Sequence, residues 1–424
     1  MKYLIIVLLP TCVAAQKPLT GRERMLLERI EELERRLALL EERTGRTANA
    51  EPAAAPASRT PPGAANPEAT PASKLPEGAT ISVNLDGYYG YNFNRPYGGT
   101  NVLRAYDVSS NSFSLNQAGI IFERTADLAG GRRFAARLDL QFGQATETLQ
   151  GSAANERRPE VYRHVFQAYG SYTAPVGKGL TIDFGKFASS FGIENNYTKD
   201  QLNYSRSYWF SFLPFYHMGI RTSYALTGKV NASYWLTNGL NQTEDFNKFK
   251  SHAIVLNFKP TSNVSANLNY FSGQEQRAVS GREPRGRSHV IDSYMPWQAT
   301  DRLLLAAEAD CVISRVEAFS PPRRVTGGAG YARYRFRRKF NLASRFEYLN
   351  DLGGLFGGVT QSLKDATLTA NFDVESGFQV RLEYRRDWPD VPYFPTANPN
   401  RLNREQNTAL LGLIWWFGGK QGAW

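Results

Sequence analysis

Arg333, Arg335 and Arg337 stand at every second position of one segment. Arg345 with Glu347, and Arg381 with Glu383 and Arg385, repeat that spacing further along the chain. Arg137 with Asp139, Glu308 with Asp310, and Lys186 extend the set. Residues two apart share one face of an extended strand. A row of guanidinium groups on such a face can hold anions through paired, charge-assisted hydrogen bonds. It can equally pair with Glu308, Asp310, Glu347 and Glu383 in a network that only braces a wall. The sequence leaves these two readings level.

Nothing in the chain points to catalysis. Gly179–Lys186 superficially resembles a phosphate loop, but the spacing is wrong, Phe187 stands where Ser or Thr is required, and the stretch reads as a strand. There is no G-x-S-x-G elbow. His164, His217, His252 and His289 lie far apart, with no H-x-x-x-H pair. Of the two cysteines, Cys12 falls in a leader segment, which leaves Cys311 alone as a small apolar group. No enzyme activity, cofactor or metal centre is expected.

The elements that must carry the charges read as strands. From Ile81 onward apolar residues recur with period two. Phe134, Ala136, Leu138, Leu140 and Phe142 alternate with Arg137, Asp139 and Gln141. Phe378, Val380, Leu382 and Tyr384 alternate with the residues of the Arg381 row. Sixteen such segments follow, from 81–93 to 406–417, and their connections alternate long and short. Period-two alternation over about ten residues, with long loops at one end and short turns at the other, is the pattern of a transmembrane β-barrel. The fold expected is all-β, an antiparallel barrel of about sixteen strands. An Arg turned towards lipid would cost about 2–4 kcal/mol near the midplane. The rows are therefore expected to face inward and line a water-filled lumen.

The composition agrees. Mean hydropathy is −0.43, and no apolar run after the first 15 residues approaches the ~20 of a spanning helix. Net charge is +11, and residues 81–424 hold 39 Lys/Arg against 29 Asp/Glu. The basic excess therefore belongs to the strand-rich region.

Residues 1–15 read as a secretory signal peptide, with Val13-Ala14-Ala15 before the cleavage point. Residues 16–45 follow, with Leu26, Ile30, Leu33, Leu37 and Leu40 at the 4,3 spacing of a coiled coil. A helix this short is marginal alone, so pairing with copies of itself is the natural reading, with a lone amphipathic helix lying on another surface as the alternative. Residues 46–80, rich in Ala and Pro, read as a disordered linker. The barrel occupies 81–424, with both termini at the short-turn, periplasmic side. The last strand, ending at Phe417, is of the kind that barrel-assembly machinery accepts. Trp415 and Trp416 read as membrane-interface aromatics. The expected partners are outer-membrane lipid, that machinery and further copies of the chain, with a trimer weakly favoured, and not nucleic acid.

The longest connection, 188–215, holds Glu194, Lys199, Asp200 and Arg206 among Phe191, Tyr197, Tyr204, Tyr208, Trp209 and Phe210. So aromatic a loop is expected to fold into the barrel and narrow it, or else to pack on the rim or on a neighbouring subunit.

Residues 181–241 resemble the OmpL-like β-barrel porin family. The likeness is carried by Asp183-Phe-Gly-Lys-Phe187, Gly192-Ile-Glu194, Tyr204-Ser-Arg-Ser207, Pro214-Phe-Tyr-His217 with Gly219, and Thr237-Asn-Gly239 with Asn241. Met218 and Leu240 depart from the family's more usual Thr and Trp. The resemblance implies an outer-membrane barrel over roughly 80–417 and a porin function. It carries no assigned role for any single residue.

Overall fold

The computed structural model describes residues 75–150, 156, 158–276 and 285–419. The predicted signal peptide, coiled-coil segment and nearly all of the linker lie outside the described residues.

Sixteen strands close into one antiparallel barrel. They are β1 (Ala79–Asn92), β2 (Ser112–Arg124), β3 (Phe134–Phe142), β4 (Val165–Ala174), β5 (Leu180–Ala188), β6 (Tyr216–Ala225), β7 (Val230–Thr237) and β8 (Ser251–Thr261), then β9 (Val264–Gly273), β10 (Ser288–Gln298), β11 (Leu303–Ser314), β12 (Arg323–Arg337), β13 (Phe340–Leu352), β14 (Gln361–Glu375), β15 (Phe378–Pro389) and β18 (Gln406–Phe417). Two-residue strands β16 (Phe394–Pro395) and β17 (Leu402–Asn403) form a separate small ribbon in the last long connection. Each strand pairs with its sequence neighbour. β1 pairs with β18 to close the ring, with Val83 opposite Phe417 and Asn92 opposite Thr408. Closure leaves no free sheet edge to meet lipid.

The sixteen predicted segments correspond to these strands, with ends displaced by a few residues. The clearest displacement is at β4. The alternation there predicts a strand over 161–173, but residues 161 and 162 lie in a helical turn, α2 (Pro159–Tyr162), because Pro159 at the first helical turn favours that geometry. An earlier short helix, α1 (Ala145–Gln150), lies in the same connection.

The alternation divides the strands as their side chains require. Along β15, Leu382 and Tyr384 are exposed on the outside, and Arg381, Glu383 and Arg385 between them are buried inside. Leu85, Ile254, Leu268, Phe346 and Leu368 are likewise exposed, which suits a surface solvated by lipid. Aromatic pairs gather at the two rims. Phe134–Tyr172, Phe340–Phe372 and Phe378–Trp415 lie at the short-turn end with ring centroids 5.0, 5.0 and 5.1 Å apart. Tyr234–His252 and Tyr270–His289 lie towards the long-loop end. Such belts mark membrane interfaces. Only Trp415 of the two predicted tryptophans takes this place. Trp416 points inward against Tyr88, Tyr204, Leu410 and Ile414, because adjacent residues of a strand cannot share a face.

Candidate channel and the loop docked inside it

The connection 189–215 is held inside the barrel by the charged rows themselves. Arg381 donates to Asn203 O at 2.8 Å and to Gln201 O at 2.7 Å. Arg345 donates to Ser205 O at 2.9 Å, and Arg385 to Arg206 O at 2.5 Å. The carboxylates take the other half of the same backbone. Glu383 accepts from Tyr204 N at 2.6 Å and from Ser205 N at 3.0 Å, and Glu347 accepts from Tyr208 N at 2.8 Å. A loop leaving regular structure carries unpaired N–H and C=O groups, and burying them unsatisfied is costly. Here wall side chains stand in for a strand partner.

The same residues balance one another. Arg345 lies 3.1 Å from Asp365 and 3.0 Å from Glu194, which the loop supplies. Arg385 lies 2.7 Å from Asp387 and 2.5 Å from Asp365. Arg104, from the connection 93–111, reaches Asp387 at 2.5 Å and also pairs with Asp107. Register explains the cluster, since Glu347 faces Asp365 and Asp365 faces Asp387 across β13, β14 and β15. All of these charges are buried, and burial of ions is tolerable only with this degree of pairing and hydrogen bonding.

Side chains of the loop and of further wall strands extend these contacts. Tyr204 donates to Asp86 on β1 at 2.6 Å. Gly412 of β18 makes room for that ring, because a Cβ there would meet Tyr204 Cδ2 at 2.4 Å. Tyr197 donates to Asp139 and accepts from Arg137 at 3.0 Å. Gln117 donates to Asn196 O at 2.7 Å. Tyr208 donates to Asp387 at 2.6 Å. Burial, reinforced by the neighbouring carboxylates, holds the Tyr197, Tyr204 and Tyr208 phenols above their usual range, so they remain donors. Within the loop, Arg206 braces the turn by donating to Tyr204 O at 2.8 Å, Asn196 O at 3.0 Å and Asn195 O at 3.1 Å. Ser207 caps the short helix α3 (Tyr208–Phe212) by accepting from Phe210 N. Lys199 pairs with Asp200 at 3.1 Å and donates to Gly419 O at 2.9 Å.

Two cavities flank the loop and share no lining residue. One, of about 200 Å³, lies towards the long-loop end beside Arg137, Phe166, Asn196, Tyr197 and Phe210. The other, of about 190 Å³, opens at the short-turn end between Arg333, Arg335, Arg338, Arg381, Asp200 and Asp373. Among the described residues, Arg333, Arg335, Arg337 and Arg338 have no carboxylate within 4.0 Å.

The predicted site residues therefore fall into groups. Glu194, Arg206, Arg345, Glu347, Arg381, Glu383 and Arg385 form one buried network. Lys199 and Asp200 lie at its lower edge. Arg137 and Asp139 hold the loop from β3. Arg333 and Arg335 face the short-turn cavity, and Arg337 is exposed beyond a bulge at the end of β12. Lys186 is buried with its ammonium 3.9 Å from the Tyr216 ring centre. Glu308 and Asp310 face inward beside Asp292. The expectation of water around every inward charge holds least for Arg345, Arg381 and Arg385, because the inserted loop replaces water as their partner. Asp86, Asp292, Asp365 and Asp387 were not singled out from the sequence. Asp365 and Asp387 lie on the polar parity of segments already read as strands, so alternation alone could have found them. Arg104 lies in a connection that carries no such signal.

The residues of the family resemblance are the loop's own framework. Glu194 accepts from Ser207 N at 2.7 Å, His217 contacts Gly239 O at 3.1 Å and Ser189 Oγ at 3.2 Å, and Asn241 accepts from Phe215 N at 2.7 Å.

Comparison with known proteins agrees with this geometry. The outer-membrane channel DcaP of Acinetobacter baumannii is similar in fold, with a TM-score of 0.53 at 9% identity, over 80% of this chain and 97% of that one. The anion-selective porin from Comamonas acidovorans superposes with a TM-score of 0.53 at 11% identity, over 80% and 99%. The trimer form of OmpT, an outer membrane protein of Vibrio cholerae, gives 0.52 at 12%, over 80% and 99%. Comparison with curated proteins gives no match. The model of the family described as "Putative beta-barrel porin-2, OmpL-like" matches residues 78–417. The chain belongs to that OmpL-like family of porin-type barrels of the bacterial outer membrane.

Proposed function

We propose that this protein is a non-enzymatic porin through which small hydrophilic solutes diffuse, with the loop 189–215 as its constriction. The observation that carries this reading is the arrangement of one docked loop between two cavities, the short-turn one walled by charged and amide side chains, inside a sixteen-stranded barrel. A barrel of this size encloses more space than its wall side chains fill, and what crosses is set by the segment that narrows it. A preference for anions rests on Arg333, Arg335 and Arg338 at the short-turn cavity, and not on the paired Arg345 and Arg385. Anion selectivity in the similar porin from Comamonas acidovorans lends this support. The long loops face the cell exterior and the termini the periplasm. In this reading Leu26, Ile30, Leu33, Leu37 and Leu40 form the seam of a coiled coil that holds copies together, behind a cleaved signal peptide and ahead of the Ala- and Pro-rich linker. A trimer is the form named for one similar structure.

A second reading has its own support. The mid-barrel network is closely packed, as suits an anchor whose coiled coil tethers periplasmic partners. Liposome swelling separates the two. Swelling in small sugars is the porin result, and vesicles that stay impermeable to every solute overturn it. Crosslinking with and without residues 16–45 tests the coiled coil. An oligomer unchanged by the truncation removes its role.

A further inference from the structure

Asp292, Glu308 and Asp310 converge inside the barrel, and one carboxylate oxygen of each lies within 4.8 Å of one from either of the others. Register brings them together, because Asp292 on β10 faces Asp310 on β11, with Glu308 two residues along. Two of the three are engaged by the loop. Gly192 N donates to Asp292 Oδ1 at 3.0 Å, and Ile193 N to Glu308 Oε1 at 3.1 Å. Glu308 also accepts from the Tyr331 hydroxyl at 3.1 Å. Asp310 is different. It is 5% exposed, its carboxyl lies against that of Asp292, and neither of its oxygens accepts from an N–H or hydroxyl donor. No Lys or Arg among the described residues pairs with any of the three. Asn269, fully buried on β9 opposite Asp292, donates through Nδ2 to Asp292 Oδ2 and to Ser190 O, and its own Oδ1 has no partner. A half-turn of that amide would put its oxygen against the acidic cluster, which a cation there would favour.

We infer that this cluster binds a divalent cation of the calcium class. Two oxygens on opposite sides of a calcium ion at ~2.4 Å lie ~4.8 Å apart, so the observed spread is that of a single coordination sphere. The donors are all oxygen, which selects a hard cation over zinc or copper. Three carboxylates buried without a counter-charge are strongly disfavoured, and a divalent ion would offset most of that charge. Gly192 lets the loop come this close. It has φ of +85°, and a Cβ there would lie 3.3 Å from Glu308 Oε1. The ion would clamp the first turn of the loop to β10 and β11, whether or not the pore conducts.

The test uses the full chain, stripped with EDTA and titrated with Ca2+ by calorimetry. The wild type is expected to bind one Ca2+ more than Asp310→Asn or Glu308→Gln. EDTA should lower the unfolding temperature of the wild type and leave Asp310→Asn unmoved. Equal Ca2+ binding by wild type and both variants overturns the assignment. Should the variants fail to fold, wild-type crystals soaked in Tb3+ decide the matter. An anomalous peak among the three carboxylates supports the site, and its absence there sinks it.

Discussion

The loop 189–215 meets two charged walls, and they hold it by different means. On β13–β15, acids and guanidiniums alternate, and each fully buried inward charge has a counter-charge or a backbone partner. On β10–β11 the inward charges are all acidic, and the loop offers only two N–H groups. The first wall is self-sufficient, and the second is complete only with a cation. One barrel can thus dock one loop both by permanent ion pairing and by an exchangeable clamp. The first fixes the loop, and the second makes its hold depend on the surroundings.

Predictions can break this contrast at either wall. The largest effect belongs to Arg345→Ala. Removing one partner from a buried ion network costs about 3–5 kcal/mol, because the remaining charges are stranded. Glu194 would lose its ion-pair partner outright, and Glu347 and Asp365 would be left to share Arg385. The loop should become cleavable by protease while the barrel still migrates as folded in the cold gel assay. A loop as resistant as in the wild type would show that the network does not hold it. Next comes Tyr204→Phe, which leaves the buried Asp86 short of a donor at about 1–3 kcal/mol. Thermal unfolding reads this directly. Arg335→Glu should leave stability unchanged, since the side chain is exposed and unpaired, and should shift the reversal potential in a salt gradient towards cations. No shift would place the short-turn cavity off the conduction path.

The smallest expected effect concerns pH. Glu275, in the connection after β9, accepts from Leu240 N at 2.8 Å and Ser251 Oγ at 2.7 Å. Burial pushes its carboxyl from the ordinary 4.5 up to about 7. The folded state therefore keeps a proton that the unfolded chain has lost. The contact is strongest below 4.5 and weakens as pH rises through about 7. Protease nicking of 238–250 should increase over that window in the wild type and stay flat in Glu275→Gln.

Much of this was legible in the sequence. Alternation put Arg381 and Leu382 on opposite faces, and it counted the strands. The aromatic content of 188–215 suggested a loop that could not stay in solvent. What remained hidden depends on register and close approach. Nothing local states that Asp292 will face Asp310, or that Gly412 leaves room for Tyr204. For the same reason the Arg345 and Arg385 rows read as solvent-facing, because their partner is a distant segment that fills the space water would take. Trp416 was misread for a simpler reason. Its neighbour Trp415 already occupied the outward face.

The account rests on the docked loop as the element that limits passage. Single-channel conductance in a planar bilayer, wild type against a deletion of residues 195–207, tests it most directly. A small wild-type conductance that rises severalfold on deletion is the predicted result. Equal conductance in the two proteins would contradict it.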